Sequence, residues 1–596
     1  MPHLSRVLVL ILASLTVLSR AQAAEDPADR VYRNGVIFTA DTTASHAEAL
    51  AIKGGRIVFV GLDAKIKSYI GPATAVVDLK GGFLMPGLVD GHMHPLEAGS
   101  ELLKCGLNYE SLTVPQFQQR IQECIDKDVA REPDGWLEVE AWFQESMRPA
   151  GVKTNRATLD VLKTKRPILI RSSFGHTTLA NTRALELAKI TVATKDPLGG
   201  KIWREPDGAP TGLLEDAAFA VFSTLLPKPT AAEDRAAAAA SLVAMSRQGV
   251  TSFLDAVAPA EDIAAFSALE KAGKLTVRAH FAPPIEPTEA NAIPAAVARV
   301  VALRKRFDQG TTRAAPGITV RNAKLFLDGV ISAPAFTGAL MEPYRRNAGS
   351  TAVAQWVEGM SRGPAVYFPP DALASVLIAL GRAGIDPHMH ADGDGAVHAG
   401  LDGVAALRKA LPGADIRPAI AHDELVLPAD FARYAPLDTT AVLSLQWGKP
   451  AGDTLGVKDY FGPVRMKILE PSGFLAAAGA RIAFGSDWPV DRLDEWFALK
   501  VGVTRTNTPD SPPEYRGRLG DDPGLSREAV LKAATINAAY ELHADDVTGS
   551  LKVGKFADLI VLDRNPLTVP AEEIALTKVL ETVLGGKTVY KAAAPR

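Results

Sequence analysis

The strongest constraint on the fold is an alternation of apolar, strand-like runs with helical stretches through the middle of the chain. Helical stretches such as AAEDRAAAAASLVAMSRQ and DALASVLIALGRAG separate the runs, and most of the runs end in a polar residue. The eight candidate strands are FLMPGLVDGHMH, GVTSFLDA, LTVRAHF, ITVRNAKLFLDG, IDPHMHADGD, RPAIAHDEL, TTAVLSLQW and RIAFGSDWP. Eight strand–helix units predict an α/β fold, a (β/α)8 TIM-like barrel whose chemistry lies where the strands end.

Both ends of the chain have a different texture, with short alternating runs broken by glycine and aspartate. Examples are ALAIKGGRIVFVG near the start and GSLKVGKFADLIVLDRN near the end. Residues 25–82 and 545–596 are therefore expected to pair into one composite β-sandwich domain, with the barrel, residues 83–544, inserted between them. Residues from about 104 to 248 are too many for a βα loop and predict an inserted subdomain after the first barrel strand.

The N-terminus has the features of a secretory signal peptide over residues 1–23. Arg6 precedes an apolar stretch from Val7 to Leu18, and the small-residue site Ala21-Gln22-Ala23 follows. The apolar stretch is too short to span a bilayer as a mature helix. We therefore expect export, with no stable membrane anchor after cleavage.

Composition narrows the classes of partner and of metal site. The net charge of −3 argues against binding to nucleic acid or to an anionic membrane. The only cysteines are Cys105 and Cys124, and neither lies in a CxxC pair, which excludes a cysteine zinc site. In an exported chain these two could form a disulfide, but the sequence leaves their pairing open.

Six polar side chains at the predicted strand ends are candidates for a metal site. His92 and His94 are separated by one residue on a strand and project to the same side, where two imidazoles can bind one ion such as zinc. A lone HxH is often incidental. The other four candidates are Lys324, His390, His422 and Asp487. Hydrogen bonding in a core could explain one or two such residues but hardly six in this order, so the set predicts a metal centre.

The motifs also carry a resemblance to a known family. The chain resembles the amidohydrolase superfamily, and within it the amidohydrolase-3 group that includes N-substituted formamide deformylase. The matching pieces are MPGLVDGHMHP, GHTTLANTRAL, GAPTGLLEDAA, GVTSFLDA, KLFLDGVIS, HADGDGAVHAGLD, GSDWPV, AATINAAY and GSLKVGKFADLIVLDRNP. They run from the N-terminal β unit to the C-terminal one, so the resemblance covers nearly the whole mature chain.

The resemblance implies one or two divalent metal ions per chain, zinc being the expected one. His92 and His94 would bind the more buried ion, and Asp487 would touch the same ion and shuttle protons. An alternative for Asp487 is a helix N-cap.

For the second ion, the resemblance implies His390 and His422 as ligands and a carboxylated Lys324 as the bridge between the two ions. A lysine ammonium would repel cations, but a carbamate formed from neutral lysine and CO₂ supplies two anionic oxygens. The alternative for Lys324 is an ordinary salt bridge with Asp328.

The substrate pocket is less constrained by the sequence. His176 and Trp447 are candidate substrate-binding residues, with a loop-capping role as the alternative for His176. Asp394 is a candidate to orient a ligand histidine through a hydrogen bond. Asp392 and Trp447 depart from the usual family pattern and bear on the pocket rather than on the metal site.

Together these features predict a metal-dependent hydrolase of a non-peptide carbon–nitrogen bond, acting on a small molecule by metal-activated hydroxide. The bond could belong to an amide, an N-acyl or N-formyl amine, or a cyclic amide. An esterase, lactonase or carbamate hydrolase with the same site is the alternative, and an inactive metal-binding or regulatory protein is a third. The signal peptide and the metal chemistry suit the bacterial periplasm, and a homo-oligomer is compatible with the sequence.

Overall fold

The computed structural model describes residues 26–593 apart from 44, 129–134, 145–146, 150, 174, 176, 198–199, 333–334 and 351–352. The expected signal peptide and His176 lie outside the described residues. Within the described part, none of the helices combines the length and the apolar character needed to cross a bilayer.

Parallel strands at the centre of the molecule account for the eight predicted strand–helix units. A four-stranded sheet contains β1 (Leu88–Met93), β2 (Val250–Asp255), β3 (Arg278–Phe281) and β4 (Gly317–Thr319). A five-stranded sheet contains β5 (Asn322–Phe326), β6 (Asp386–Ala391), β7 (Ala419–His422), β8 (Thr440–Leu443) and β9 (Arg481–Phe484). The run ITVRNAKLFLDG is interrupted after Thr319 and therefore supplies both β4 and β5. The central fold is thus mixed α/β, as predicted.

Backbone hydrogen bonds connect these two sheets on both sides. The N–H of Asp487 donates to the carbonyl oxygen of His92, and the N–H of His94 donates to that of Trp488, each at 2.8 Å. On the other side, Pro284 forms a parallel bridge with Lys324. The carboxyl ends of β1 and β9 therefore lie next to each other.

Helices connect the central strands and pack around them. The longest, Ala231–Gln248, is alanine-rich and begins at a capping box between Thr230 and Glu233. It ends at Gly249, whose φ of 94° is costly for other residues. The main helices around the central strands are Pro95–Leu103, Ala231–Gln248, Ala260–Lys271, Ile293–Phe307, Pro370–Arg382, Asp394–Ala410, Lys458–Met466, Ser472–Ala477, Glu495–Thr504 and Arg527–Lys532.

Strands from both chain ends form two further sheets. One contains Arg30–Arg33, Ala49–Lys53, Arg56–Gly61 and Ala75–Asp78. The other contains Val36–Phe38, His46–Ala47, Phe83–Pro86, Leu559–Leu562, Val579–Leu584 and Lys587–Lys591. Apolar side chains of the two sheets, such as Leu50 and Leu559, share one buried core. The strand Phe83–Pro86 belongs to this unit, which therefore extends beyond the expected boundary at residue 82.

The insertion after the first central strand has its own sheet and core. Its strands are Cys105–Gly106, Leu137–Trp142, Ile168–Ser172, Thr177–Ala180, Gly200–Arg204 and Pro210–Asp216. Its helices are Val114–Asp128, Arg156–Asp160, Thr182–Leu187 and Ala220–Ser223. The expected end at residue 248 is too late, because helix Ala231–Gln248 packs on helix Pro95–Leu103 beside the central strands. Gly99 allows this close approach, since a Cβ there would meet the carbonyl of Ala237.

Cys105 and Cys124 form a disulfide, which answers the question that the sequence left open. It links strand Cys105–Gly106 to helix Val114–Asp128 across a separation of 19 residues.

Replacing both cysteines with serine is expected to lower the free energy of unfolding of the insertion by about 3 kcal/mol, because a loop of this size gains entropy when it is opened. Hydrogen exchange in strand Leu137–Trp142, followed in increasing urea, would measure the change. Reductant should weaken the wild type and leave the double variant unaffected. Equal protection in the two proteins under oxidising conditions would contradict the prediction.

Candidate metal centre

The six predicted side chains lie at the carboxyl ends of five central strands and line one cavity of about 180 Å³. His92 lies on β1, Lys324 on β5 and His390 on β6. His422 is the last residue of β7. The remaining two, His94 and Asp487, follow the ends of β1 and β9. Parallel strands bring their carboxyl ends to one edge, which is why residues up to 395 positions apart in sequence meet here.

The Asp487 carboxylate lies among three imidazoles. Its Oδ1 is 3.0 Å from Nε2 of His94 and 3.5 Å from Nε2 of His92. Its Oδ2 is 3.9 Å from Nδ1 of His422. The same Nε2 of His92 also lies 3.4 Å from Nζ of Lys324. One carboxylate, three imidazoles and one amine thus surround a common point.

Two overlapping sets of ligand atoms could each hold an ion. Within each set the atoms lie within 4.8 Å of one another, and both sets include His422. The first set adds His92 and Asp487, and the second adds His390 and Asp392. Asp392 is a potential ligand that the sequence analysis assigned only to the pocket; its position two residues after His390 was the available signal.

The chemistry of these donors fits a divalent metal. Oδ1 of Asp487 and Oδ1 of Asp392 are buried and have no hydrogen-bond partner among the described residues. Burying a carboxylate oxygen without a hydrogen bond costs free energy unless a bound ligand offsets that cost. Burial also lowers the pKa of His92 and His422 well below the usual value, which keeps both imidazoles neutral and their lone pairs available. Neutral imidazole with carboxylate is a zinc-type ligand set.

Lys324 is 1% exposed, and burial lowers its pKa to about 8. In the described part of the chain it forms no ion pair within 4.0 Å. Asp328, its alternative partner, accepts backbone N–H groups at 2.8–3.0 Å. The donors are Ala339, Asp392 and Gly393. The salt-bridge interpretation is therefore wrong, and Lys324 faces the centre as a side chain whose neutral form is accessible.

The backbone around the site is held in uncommon conformations. Asp487 has a φ of 54° and His422 a φ of 82°, both in the region that favours glycine. Such geometry costs on the order of 1–3 kcal/mol per residue and is concentrated at functional sites. Gly485 leaves room for this turn, because a Cβ there would lie 2.5 Å from Cβ of His92. Asp487 is not a helix N-cap, since the following helix is capped by Asp494.

A buried chain of hydrogen bonds orients the imidazole of His92 on the side that faces away from the centre. Its Nδ1 is 2.8 Å from Nε2 of His388, and Nδ1 of His388 is 2.8 Å from Oε1 of Glu541. This arrangement leaves Nε2 of His92 directed at the centre. The prediction that Asp394 orients a ligand histidine is wrong, because its carboxylate accepts the backbone N–H of Met341 at 2.8 Å instead. Glu541 directly follows the motif AATINAAY, and that position was the available signal.

Replacing Glu541 with glutamine is expected to weaken metal binding by about 10- to 100-fold, because an amide replaces the carboxyl group that fixes His388 and, through it, His92. Zinc affinity measured by chelator competition would show the change. Glu581→Gln is the matched control, since Glu581 is also buried but bonds Tyr32 in the β unit. Equal affinities for the two variants would contradict this role for Glu541.

The cavity above the centre has an apolar side and an acidic side. Apolar side chains that line it include Phe326, Ile331, Val457 and Leu469. Trp447, predicted to bind substrate, also lines it and stacks on His422 with ring centroids 5.6 Å apart. Small-molecule sites in enzymes have this form, an apolar pocket with a few convergent polar groups.

Known structures of metal-dependent hydrolases share the fold of this chain. An uncharacterized metal-dependent hydrolase from Pyrococcus horikoshii OT3 superposes with a TM-score of 0.68 at 21% identity, covering 91% of this chain and 99% of that one. Atrazine chlorohydrolase TrzN from Arthrobacter aurescens TC1, solved with zinc, superposes with a TM-score of 0.51 at 15% identity, covering 94% and 95%. The model of the amidohydrolase family matches residues 75–590, so the chain belongs to the amidohydrolase family. It is an enzyme, a hydrolase of that family.

Relatives that match this chain over nearly their full length are also found by sequence. Protein LONG AFTER FAR-RED 3 of Arabidopsis thaliana is 28% identical over 578 residues, covering 94% of this chain and 92% of the relative. Putative amidohydrolase YtcJ of Bacillus subtilis is 24% identical over 573 residues, covering 94% and 99%. N-substituted formamide deformylase of Arthrobacter pascens is 23% identical over 578 residues, covering 94% and 98%. The resemblance to the family seen in the sequence is therefore confirmed.

Proposed function

We propose that this chain is an exported, metal-dependent hydrolase of a non-peptide carbon–nitrogen bond in an amide, an N-acyl or N-formyl amine, or a cyclic amide. The observation that carries the proposal is the Asp487 carboxylate, buried among His92, His94 and His422 with one oxygen that lacks a hydrogen bond. The similarity to an N-substituted formamide deformylase supports the choice of bond.

In this proposal the two central sheets form one closed (β/α)8 barrel. The hydrogen bonds between the His92 and Asp487 segments, and the bridge between Pro284 and Lys324, support closure on both sides. Location in the bacterial periplasm is supported by the N-terminal signal and by the disulfide of the insertion, because disulfides persist in oxidising compartments.

One or two zinc ions would be held by the six predicted ligands, with Lys324 carboxylated as the bridge. When bound, the metal would polarise the scissile carbonyl and lower the pKa of a bound water to about 7. The buried position of Lys324 favours the neutral amine that carbamate formation requires. The ligands are His92, His94, Lys324, His390, His422 and Asp487.

Asp487 would act as the general base and then as the general acid. Its Oδ1, which has no hydrogen-bond donor in the described structure, can accept the proton of the attacking water and return it to the departing nitrogen. Nε2 of His94 lies 3.0 Å from this oxygen, so both atoms would be close to the same metal ion. Trp447 and the apolar side of the cavity would exclude bulk water from the reacting bond.

Metal content and hydrolysis, measured together, test the proposal. The full-length protein would be analysed by inductively coupled plasma mass spectrometry and assayed against N-formyl amines, N-acyl amines, cyclic amides, esters and lactones. We expect one or two zinc ions per chain and hydrolysis of at least one carbon–nitrogen substrate. Turnover of esters or lactones alone would assign the site to the alternative reaction.

Two histidine variants distinguish the loss of the metal site from the general effects of substituting a histidine. His422→Asn should lose both metal and activity. His398→Asn should retain both, because His398 lies on helix Asp394–Ala410 and bonds Asp430 at 2.9 Å. Protein that binds no metal and gains no activity from added divalent ions would overturn the proposal.

A further inference from the structure

Three carboxyl side chains line the cavity beside the candidate metal centre. We call Glu424, Asp453 and Glu470 the acidic wall. The backbone N–H of Glu470 donates to the carbonyl of Glu424 at 2.8 Å, which fixes two of the three positions next to each other. Repulsion between these carboxylates is a cost that a bound cation would offset.

Two of the three members of the acidic wall, Asp453 and Glu470, have carboxylate oxygens without a partner in the described structure. Glu470 is 7% exposed, and its carboxylate has no hydrogen bond or ion pair among the residues the structure describes. Oδ1 of Asp453 is likewise buried without a hydrogen-bond donor there. Both side chains line the same cavity, so their free oxygens are available to a ligand inside it.

Two cationic side chains near the acidic wall, Lys449 and Arg505, donate hydrogen bonds to backbone carbonyl groups rather than to the wall carboxylates. Lys449 donates to the carbonyl of Gln446 at 2.7 Å. The guanidinium of Arg505 donates to the carbonyls of Leu469 and Glu470 at 2.7–2.8 Å and does not bond the carboxylate of Glu470. The charges of Lys449 and Arg505 act on Glu470, but burial still raises the pKa of its carboxyl group well above the usual value. A cation bound inside the cavity would favour the ionised form of this group.

An organic cation fits this surface better than a metal ion. Neither Asp453 nor Glu470 belongs to the convergent ligand sets found in the described residues. The wall also adjoins apolar side chains, with Val457 and Leu469 next to it and Trp447 in the same cavity. A protonated group on a short carbon chain would satisfy the carboxylates and bury its carbons on these neighbours.

We propose that the acidic wall binds a cationic group of the substrate, an ammonium, amidinium or guanidinium. This inference rests on the proposed function and specifies its substrate class, an amide or N-acyl amine that also carries a positive charge. The metal centre holds the reacting bond, and Asp453 and Glu470 hold the charged end.

Binding without turnover tests this inference separately from hydrolysis. Isothermal titration calorimetry on the zinc-loaded, full-length protein would compare n-butylguanidinium with its neutral isostere n-butylurea. We expect the cation to bind at least about tenfold more tightly, and to lose at least about tenfold in affinity in Glu470→Gln and in Asp453→Asn. Affinity for n-butylurea should change little in these variants.

Asp459→Asn is the matched control, because Asp459 is exposed on the same segment as Asp453. It should bind n-butylguanidinium as the wild type does, and the zinc content of every variant would verify that the site is intact. A second comparison uses kcat/KM for N-formyl-1,4-diaminobutane and for N-formylbutylamine. The ratio should favour the charged substrate in the wild type and fall in both wall variants.

Equal binding of n-butylguanidinium and n-butylurea, or affinities unchanged by Glu470→Gln and Asp453→Asn, would overturn the inference. Hydrolysis of neutral formamides with no preference for the charged one would also overturn it while leaving the proposed function intact. Failure of the proposed function would instead appear as absent metal and absent hydrolysis.

Discussion

Replacing Lys324 with alanine is expected to remove bound metal and to reduce hydrolysis by more than about 100-fold, beyond the loss typical of residues that only support a ligand. The side chain lies 3.4 Å from His92, at 1% exposure, and its removal deletes the proposed bridge between the two ions. Metal content by mass spectrometry and kcat/KM on the best substrate would be measured on the same preparation.

Added carboxylate provides the control for this substitution. If the bridge is a carbamate, a short acid such as acetate should restore part of the metal content and activity of Lys324→Ala, because it returns two anionic oxygens to the vacated space. An alkylamine should not. Lys500→Ala is the matched variant, since Lys500 is equally buried but bonds Thr506 and Glu572 away from the cavity. Full metal content in Lys324→Ala would refute the bridging role.

Asp487→Asn is expected to lower kcat by about 10²- to 10⁴-fold, the range for removal of a positioned general base. The amide keeps the shape of the side chain, but it cannot accept the proton of the attacking water. Part of the metal should remain, because the histidines around it are unchanged. Loss of kcat with a smaller loss of metal would separate proton transfer from metal binding.

Asp491→Asn is the control for this second substitution. Asp491 belongs to the same loop after β9, but its carboxylate is 30% exposed and reaches no ligand histidine in the described structure. This variant should keep most of its activity. If Asp487→Asn turned over substrate at the wild-type rate with its metal intact, the base would have to be another group.

The local motifs predicted much of the fold and of the centre because their signals are short-range. The alternation of apolar runs with helical stretches identifies the strands, and polar residues at strand ends fall at one edge of a parallel sheet. His92, Lys324 and His390 could be placed in this way from their own neighbours in sequence. The boundary of the β unit, expected at residue 82, could not be placed in this way. The strand Phe83–Pro86 and the following strand β1 form one continuous apolar run in the sequence.

The sequence by itself determined the family, the strand–helix order and the residue types that line the centre. Only the tertiary structure decided the disulfide between Cys105 and Cys124, the role of Glu541 behind His388, and the position of the acidic wall. Each of these depends on which side chains from distant segments share a buried space. Charge and hydrogen bonding become decisive in such a space because water is excluded from it. Which side chains come close together there is set by tertiary packing rather than by their spacing along the chain.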